Sequence, residues 1–148
     1  MIDSTPETLK HIRRVQELLA EVSANLIARA IRHDASKLEE PEKSALDENT
    51  EALRGLTYGS DEYKAQLVKL KPCLDHHYAN NSHHPEFWNN VGEMSLLDII
   101  EMFCDWKAAT DRHADGDITK SIEINTKRFG LSEQLAQILV STRDELDY

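Results

Sequence analysis

Apolar residues recur at helical spacing along most of the chain, and no run alternates apolar and polar positions as a strand would. The spacing predicts helices near residues 4–22, 23–34, 41–53, 60–77, 95–106, 117–129 and 132–146. Gly55 and Gly59 predict a turn, Pro72 predicts a kink or break, and Gly130 predicts a helix stop. The pattern therefore predicts an all-α fold.

The segment 96–106, LLDIIEMFCDW, is apolar almost all round, so we expect this helix to be buried. Asp98, Glu101 and Asp105 follow at i, i+3 and i+7 and share one face. A buried row of carboxylates is costly unless cations or donors face it. One interpretation is a row of salt bridges to Arg or Lys of another helix. The other is that Asp105 binds a metal while Asp98 or Glu101 orients an imidazole.

The composition fits one soluble domain, residues 1–148, with 40% hydrophobic residues. The net charge of −10 argues against duplex nucleic acid as a partner, whereas a small anionic substrate stays compatible because bound divalent ions reverse the local potential. No apolar leader and no span of ~20 apolar residues is present, which predicts a cytoplasmic protein without a membrane partner.

Cys73 and Cys104 lack CxxC spacing and are expected to be buried thiols.

Six of the seven histidines are candidates for metal chemistry. Three pairs stand out, His33-Asp34, His76-His77 and His83-His84, and His11 lies on the apolar stripe of the first helix, which should point it inward. Imidazole and carboxylate suit Mn, Fe, Co, Ni or Zn, so we expect one or two divalent ions. The predicted metal ligands are His11, His33, Asp34, His76, His77 and Asp105.

Other polar residues near these pairs are candidates for substrate contact. Lys37 follows Asp34 by three positions and would contact a phosphate oxygen, with a plain surface lysine as the alternative. His83 and His84 have three open roles, which are completing the metal sphere, binding substrate and packing near Trp88. We assign catalytic roles to Asp34, Lys37 and Glu101, and substrate contacts to Lys37, His83, His84 and Trp88.

Common motifs of competing chemistries are absent from the sequence. It contains no HExxH, no GxxxxGK[ST] phosphate loop, no GxSxG elbow and no CxxC pair. A structural zinc site would usually include cysteines, so the histidine and carboxylate set favours a reactive, partly open site.

The order of these residues resembles that of the HD-domain metal phosphohydrolases, H…HD…H…D, from His11 through His33-Asp34 to Asp105. RHDASKL is similar to the HDxGK of the HD-GYP branch, with serine in place of glycine. His76-His77 is similar to that branch's HHE pair with Tyr78 replacing the acid, and DWKAAT resembles its DxxDALT. The GYP signature is replaced by NNSHHPEFW, so cyclic-dinucleotide specificity is not implied. The whole pattern also resembles a small HD-like family of phages and bacteria.

The resemblance implies a single-domain bundle of about six to eight helices and hydrolysis of phosphate esters. We therefore expect a divalent-metal-dependent phosphohydrolase acting on a nucleotide-sized phosphoester, of nucleotidase or nucleotide triphosphohydrolase type. One alternative is a non-catalytic, metal-containing module that sequesters a nucleotide or binds a host protein. Another is an HD-type di-iron oxygenase. The oligomeric state, including a homodimer, stays open, and a phage-encoded protein would act in the host cytoplasm.

Overall fold

A computed structural model describes residues 3–54, 61–112, 114 and 116–148. Within those residues six α-helices form and no strand does, which confirms the predicted all-α class. The helices are α1 (Thr5–Arg32), α2 (Glu42–Arg54), α3 (Asp61–Asn80), α4 (Leu96–Thr110), α5 (Ile118–Phe129) and α6 (Glu133–Glu145). The chain divides into two compact units, one ending at His33 and one beginning at Asp34. The expected single domain over residues 1–148 stays a prediction.

The first unit consists of α1, which contains no buried residue. The predicted break near Ser23 is wrong, because α1 runs through it without interruption. Serine often caps a helix start, but here the Ser23 hydroxyl donates to the carbonyl of Leu19, one turn earlier in the same helix. The inward orientation predicted for His11 concerns the packing of α1 against other elements and stays a prediction. Taken by itself, α1 exposes His11 and the apolar stripe on which it lies.

In the second unit α2 packs against α3, after a 3₁₀ turn over Ala35–Leu38. The helix predicted at 41–53 is confirmed as Glu42–Arg54. Pro72 neither breaks nor divides α3, which runs unbroken through it. Pro72 has no backbone N–H, so the carbonyl of Val68 lacks its usual helical hydrogen bond. Both residues are exposed, so water can bond to that carbonyl instead. The predicted turn at Gly55 and Gly59 lies outside the described residues.

The core of the second unit is built on α4, as the apolar segment predicts. Ser95 and Asp98 form a reciprocal capping box that starts this helix. Buried apolar side chains of α4, α5, α6 and Leu131 then pack together: Ile99, Met102, Phe103, Trp106, Ile118, Ile122, Leu131 and Leu139. Cys73 is buried as expected, but Cys104 is exposed because it lies on the opposite side of α4 from Met102 and Phe103.

Helix ends in the C-terminal part follow the sequence signals closely. The Asp117 carboxylate caps α5 by accepting from the backbone N–H groups of Thr119 and Lys120. Gly130 ends α5 in the left-handed region at φ 64°, and Ser132 caps α6. No helix in the described part of the chain combines the length and apolarity needed to cross a bilayer.

Candidate metal centre

Asp34 opens the second unit in an unusual backbone conformation. Its φ of 55° lies in the left-handed region, which aspartate tolerates better than most residues other than glycine. The 3₁₀ turn that follows closes with a hydrogen bond from the N–H of Lys37 to the carbonyl of Asp34. The tight turn holds the Asp34 carboxylate against the end of α3.

Four side chains converge at this point and are called the Asp34 cluster: Asp34, His77, His83 and His84. Asp34 Oδ1 lies 3.3 Å from Nε2 of His77 and 3.4 Å from Nε2 of His83. His77 Nε2 lies 2.8 Å from His84 Nε2. One carboxylate oxygen and one nitrogen from each of three imidazoles therefore lie within 4.8 Å of one another, which could hold a metal ion.

Glu42 lies behind the cluster, at the first turn of α2, with 0% of its surface exposed. Its Oε2 is 2.8 Å from Nδ1 of His77, and its Oε1 is 2.8 Å from Nδ1 of His76. The hydroxyl of Ser36 donates to the same carboxylate. A carboxylate only accepts, so Nδ1 of His77 carries a proton and donates to Glu42, and Nε2 is the ring nitrogen that faces Asp34.

Glu101 plays the corresponding part for His83. Its Oε1 lies 3.3 Å from Nδ1 of His83, whose Nε2 faces Asp34. His83 is buried and Glu101 is half-buried on α4. Two of the three imidazoles thus have a carboxylate behind them that fixes which nitrogen faces the cluster.

The ionised form of Asp34 is strongly favoured. Burial raises the pKa of its carboxyl, but hydrogen bonds with His77 and His83 and the ammonium of Lys37 outweigh burial, and the pKa falls far below its usual range. Lys37 Nζ lies 2.6 Å from Asp34 Oδ2, which leaves Oδ1 turned to the imidazoles. Asp34 is accordingly a permanent anion at neutral pH.

The other carboxyl groups near the cluster add to this negative charge. Burial raises the pKa of Glu42, but hydrogen bonds from His76, His77 and Ser36 lower it by more, so the net shift is downward. An oxygen of Asp105 also lies within 4.8 Å of one of Asp34. This concentration of carboxylate charge is an environment that favours a cation.

His84 is neutral in this environment. Burial and the nearby His83 and His77 lower its pKa to about 3. An unprotonated imidazole retains a lone pair, which ligation of a metal requires. His84 therefore brings an available donor nitrogen to the cluster near neutral pH.

Of the predicted metal ligands, Asp34 and His77 lie in the Asp34 cluster, and their ligation of a metal stays a prediction. His83 and His84, for which metal binding, substrate binding and packing near Trp88 were all open, also lie in the Asp34 cluster. His76, predicted to bind metal, has its Nδ1 on Glu42. Adjacent residues of a helix point about 100° apart, so only one of the two α3 histidines reaches Asp34.

Two predicted ligands are not in the Asp34 cluster. His11 lies exposed on α1, and His33 ends that helix as its C-terminal cap, covalently joined to Asp34. Their roles as ligands remain predictions. Sequence reasoning missed Glu42, whose only signal is an acid at a helix start, a feature shared with surface acids such as Glu62 and Glu133.

Trp88 and Asp98 have structural partners. The indole Nε1 of Trp88 donates to the carbonyl of Ser82 over 2.8 Å and holds the turn that contains His83 and His84. Asp98 accepts from the hydroxyls of Ser82 and Ser95, each over 2.6 Å. Of the two acids considered for orienting an imidazole, Glu101 lies beside His83, while Asp98 ties residues 81–95, the histidine loop, to the start of α4.

Comparison with known proteins gives one match. A family model described as a family of unknown function, DUF5662, matches residues 2–145. No curated protein and no solved structure matches the chain.

Proposed function

The chain belongs to DUF5662, a family of unknown function, and we propose that it is a divalent-metal-dependent phosphohydrolase acting on a nucleotide-sized phosphoester. The observation that carries the proposal is the convergence of the Asp34 carboxylate with Nε2 atoms of His77, His83 and His84. The motif order of the HD-domain phosphohydrolases supplies the reaction class. We place the activity in the cytoplasm.

The spacing of the donor atoms fits a first-row transition metal. Bonds of about 2.0–2.1 Å in a tetrahedron put neighbouring donors about 3.3–3.4 Å apart. The Asp34–His77 and Asp34–His83 distances of 3.3 and 3.4 Å equal this spacing. The His77–His84 pair at 2.8 Å is closer, so binding an ion would separate those two rings.

A divalent ion held there would supply Lewis-acid chemistry, generating a water nucleophile near neutral pH and offsetting charge on the phosphoryl oxygens. Asp34 would hold the ion through Oδ1 and the ammonium of Lys37 through Oδ2. The exposed part of Lys37 would contact a phosphate oxygen of the substrate. Glu42 and Glu101 would keep His77 and His83 in the orientation that ligation needs.

A second ion is part of the proposal, and Asp34 and Asp105 of the second unit would hold it. Asp105 is supported by the carboxylate oxygens of Asp34 and Asp105 lying within 4.8 Å. The exposed His11 and the Glu42-bound His76 are left out of the proposed ligand set.

One observation favours a second candidate function, a non-catalytic module stabilised by its metal. The Asp34 cluster already offers four protein donors, and structural zinc sites use four and leave no open position. Mn, Fe, Co and Ni accept five or six ligands, which would leave room for water and substrate. The identity of the bound ion therefore separates the two candidates.

The test is hydrolysis by protein reconstituted in turn with Mn, Fe, Co, Ni and Zn. Nucleoside mono- and triphosphates and a simple alkyl phosphate are supplied, and released phosphate is measured. We expect turnover that chelator abolishes and metal restores, and that Asp34→Asn removes. Asparagine tolerates the left-handed backbone, so this variant changes the charge and not the turn. Metal uptake without hydrolysis of any ester would instead establish the non-catalytic module.

A further inference from the structure

A cleft of about 720 Å³ adjoins the Asp34 cluster on the surface of the second unit. Its lining residues come from α3, the histidine loop and α5: Asp75, Tyr78, Ala79, Glu86, Phe87 and Arg128. Tyr78 connects the cleft to the cluster, since its ring centroid lies 5.1 Å from that of His84 and 6.0 Å from that of His77. A ligand in this cleft would reach the proposed reaction centre past Tyr78.

The cleft has no surplus positive charge. Arg128, the one lysine or arginine among the described lining residues, donates to Glu86 over 2.8 Å, and its guanidinium carbon lies 4.6 Å from the ring centre of Phe129. Asp75, the remaining charged residue, is paired with Lys71 at 2.6 Å. A polyphosphate needs unpaired cations, so this lining disfavours a phosphate chain and suits an uncharged group.

Phe87 presents an aromatic surface at the mouth of the cleft. Its side chain is 41% exposed, and its ring packs at 4.9 Å against Trp88, whose indole is anchored to Ser82. An exposed ring on an anchored turn is a stacking platform that loses little entropy when it binds a flat partner.

The polar groups of the cleft supply both donors and acceptors. The Tyr78 hydroxyl, which lines the cleft, can both donate and accept. The Glu86 carboxylate accepts, and the Arg128 guanidinium, which also hydrogen-bonds with Tyr78, donates through its five N–H groups. This combination matches the hydroxyls of a sugar and the edge of a base.

Resting on the proposed function, we propose that this cleft binds the nucleoside half of a nucleoside monophosphate. The base stacks on Phe87, and Glu86 and Arg128 hydrogen-bond to the sugar or base edge. The single phosphate then extends past Tyr78 to the Asp34 cluster. The cleft volume lies within the usual range for small-molecule sites, roughly 300–1,000 Å³. The substrate class is thus a monophosphate rather than a triphosphate.

The test compares wild type with Phe87→Ala and Phe87→Tyr, each loaded with metal. For a nucleoside monophosphate, we expect Phe87→Ala to raise KM by roughly tenfold or more and Phe87→Tyr to retain wild-type KM, because stacking needs only the ring. With ethyl phosphate, which has no base, all three proteins should turn over equally. Nucleoside triphosphate should be the poorer substrate by at least about tenfold in kcat/KM.

Two outcomes overturn the cleft proposal and leave the phosphohydrolase proposal standing. These are equal KM for wild type and Phe87→Ala, and preference for the triphosphate. If no ester is hydrolysed at all, the proposed function fails, and calorimetry with the nucleoside monophosphate then decides on the cleft. Binding weakened by Phe87→Ala and not by Phe87→Tyr supports it, whereas no binding, or equal binding to all three proteins, refutes it.

Discussion

Nδ1 of His77 donates a hydrogen bond to the Glu42 carboxylate across 2.8 Å, in a part of the interior where Glu42 has no exposed surface. The contact joins the start of α2 to α3 and fixes which nitrogen His77 turns toward Asp34. A buried carboxylate is costly to maintain, and here hydrogen bonds from His76, His77 and Ser36 satisfy it. Glu42 is therefore a positioning residue for the proposed metal centre.

We expect Glu42→Gln to weaken metal binding by roughly 10- to 100-fold, because a neutral amide no longer fixes the proton of His77 on Nδ1. The measurement is a competition titration against a chelator of known affinity. Glu48→Gln, an exposed acid on the same helix, is the matched control and should bind as wild type. Equal affinity of both variants would show that Glu42 has no role at the site.

His84, which follows α3, and His76, which lies on α3, should differ in their effect on metal binding. His84→Ala removes a donor nitrogen of the Asp34 cluster, so affinity should fall by at least tenfold. His76→Ala removes a group whose Nδ1 is held by Glu42, so one ion should still bind per chain. Equilibrium dialysis with elemental analysis measures both. If the His76→Ala variant bound no metal at all, His76 would have to be counted among the ligands.

The metal-free protein should become less stable as the pH falls from 7 to 4. His84 has a pKa of about 3 in the folded state against about 6.5 unfolded, so the unfolded chain binds more protons below pH 6.5. Asp34 and Glu42, whose pKa values are lowered, extend the loss at more acidic pH, once the unfolded carboxyls protonate. Urea titrations of the metal-free protein at several pH values give the free energy of unfolding.

His84→Gln serves as the control in that series. Glutamine does not titrate, so this variant should have a flatter stability profile between pH 6.5 and 5. A wild-type protein whose unfolding free energy is constant or rises over that interval would be inconsistent with a neutral, buried His84.

Asp98 should contribute to stability and not to metal binding. Asp98→Ala removes the carboxylate that the hydroxyls of Ser82 and Ser95 contact, which should cost about 1–3 kcal/mol of unfolding free energy. Asp111→Ala, at the exposed end of the same helix, should cost less than about 1 kcal/mol. Denaturant unfolding of the metal-free variants measures both, and unchanged metal stoichiometry in Asp98→Ala separates the two roles.

Helical periodicity was sufficient to predict most elements of this fold. The caps at Ser95, Asp117 and Ser132 and the stop at Gly130 are local signals, and the structure follows them. The predicted break near Ser23 was wrong because a serine hydroxyl can cap a helix start or, as here, donate to a carbonyl one turn earlier within a helix. The interior position of His11 stays a prediction, because periodicity identifies an apolar stripe without saying whether another element covers it.

The candidate site was only partly predictable. Asp34 and His77 were chosen from pairs of metal-ligating residue types, and they do converge. The choice between His76 and His77 depends on the rotation of α3, which the sequence alone does not fix. Glu42 was not predictable, because an acid at a helix start usually serves the helix dipole at the surface. Only the packing of α2 on α3 gives it another role.

The central claim is tested most directly by a crystal structure of the protein loaded with zinc or nickel, with the ion located by anomalous scattering. The account predicts an ion bonded to Asp34 Oδ1 and to Nε2 of His77, His83 and His84, with bond lengths of about 2.0–2.1 Å. Saturating metal with no anomalous peak among these four side chains, or with a peak only at other residues, would contradict it.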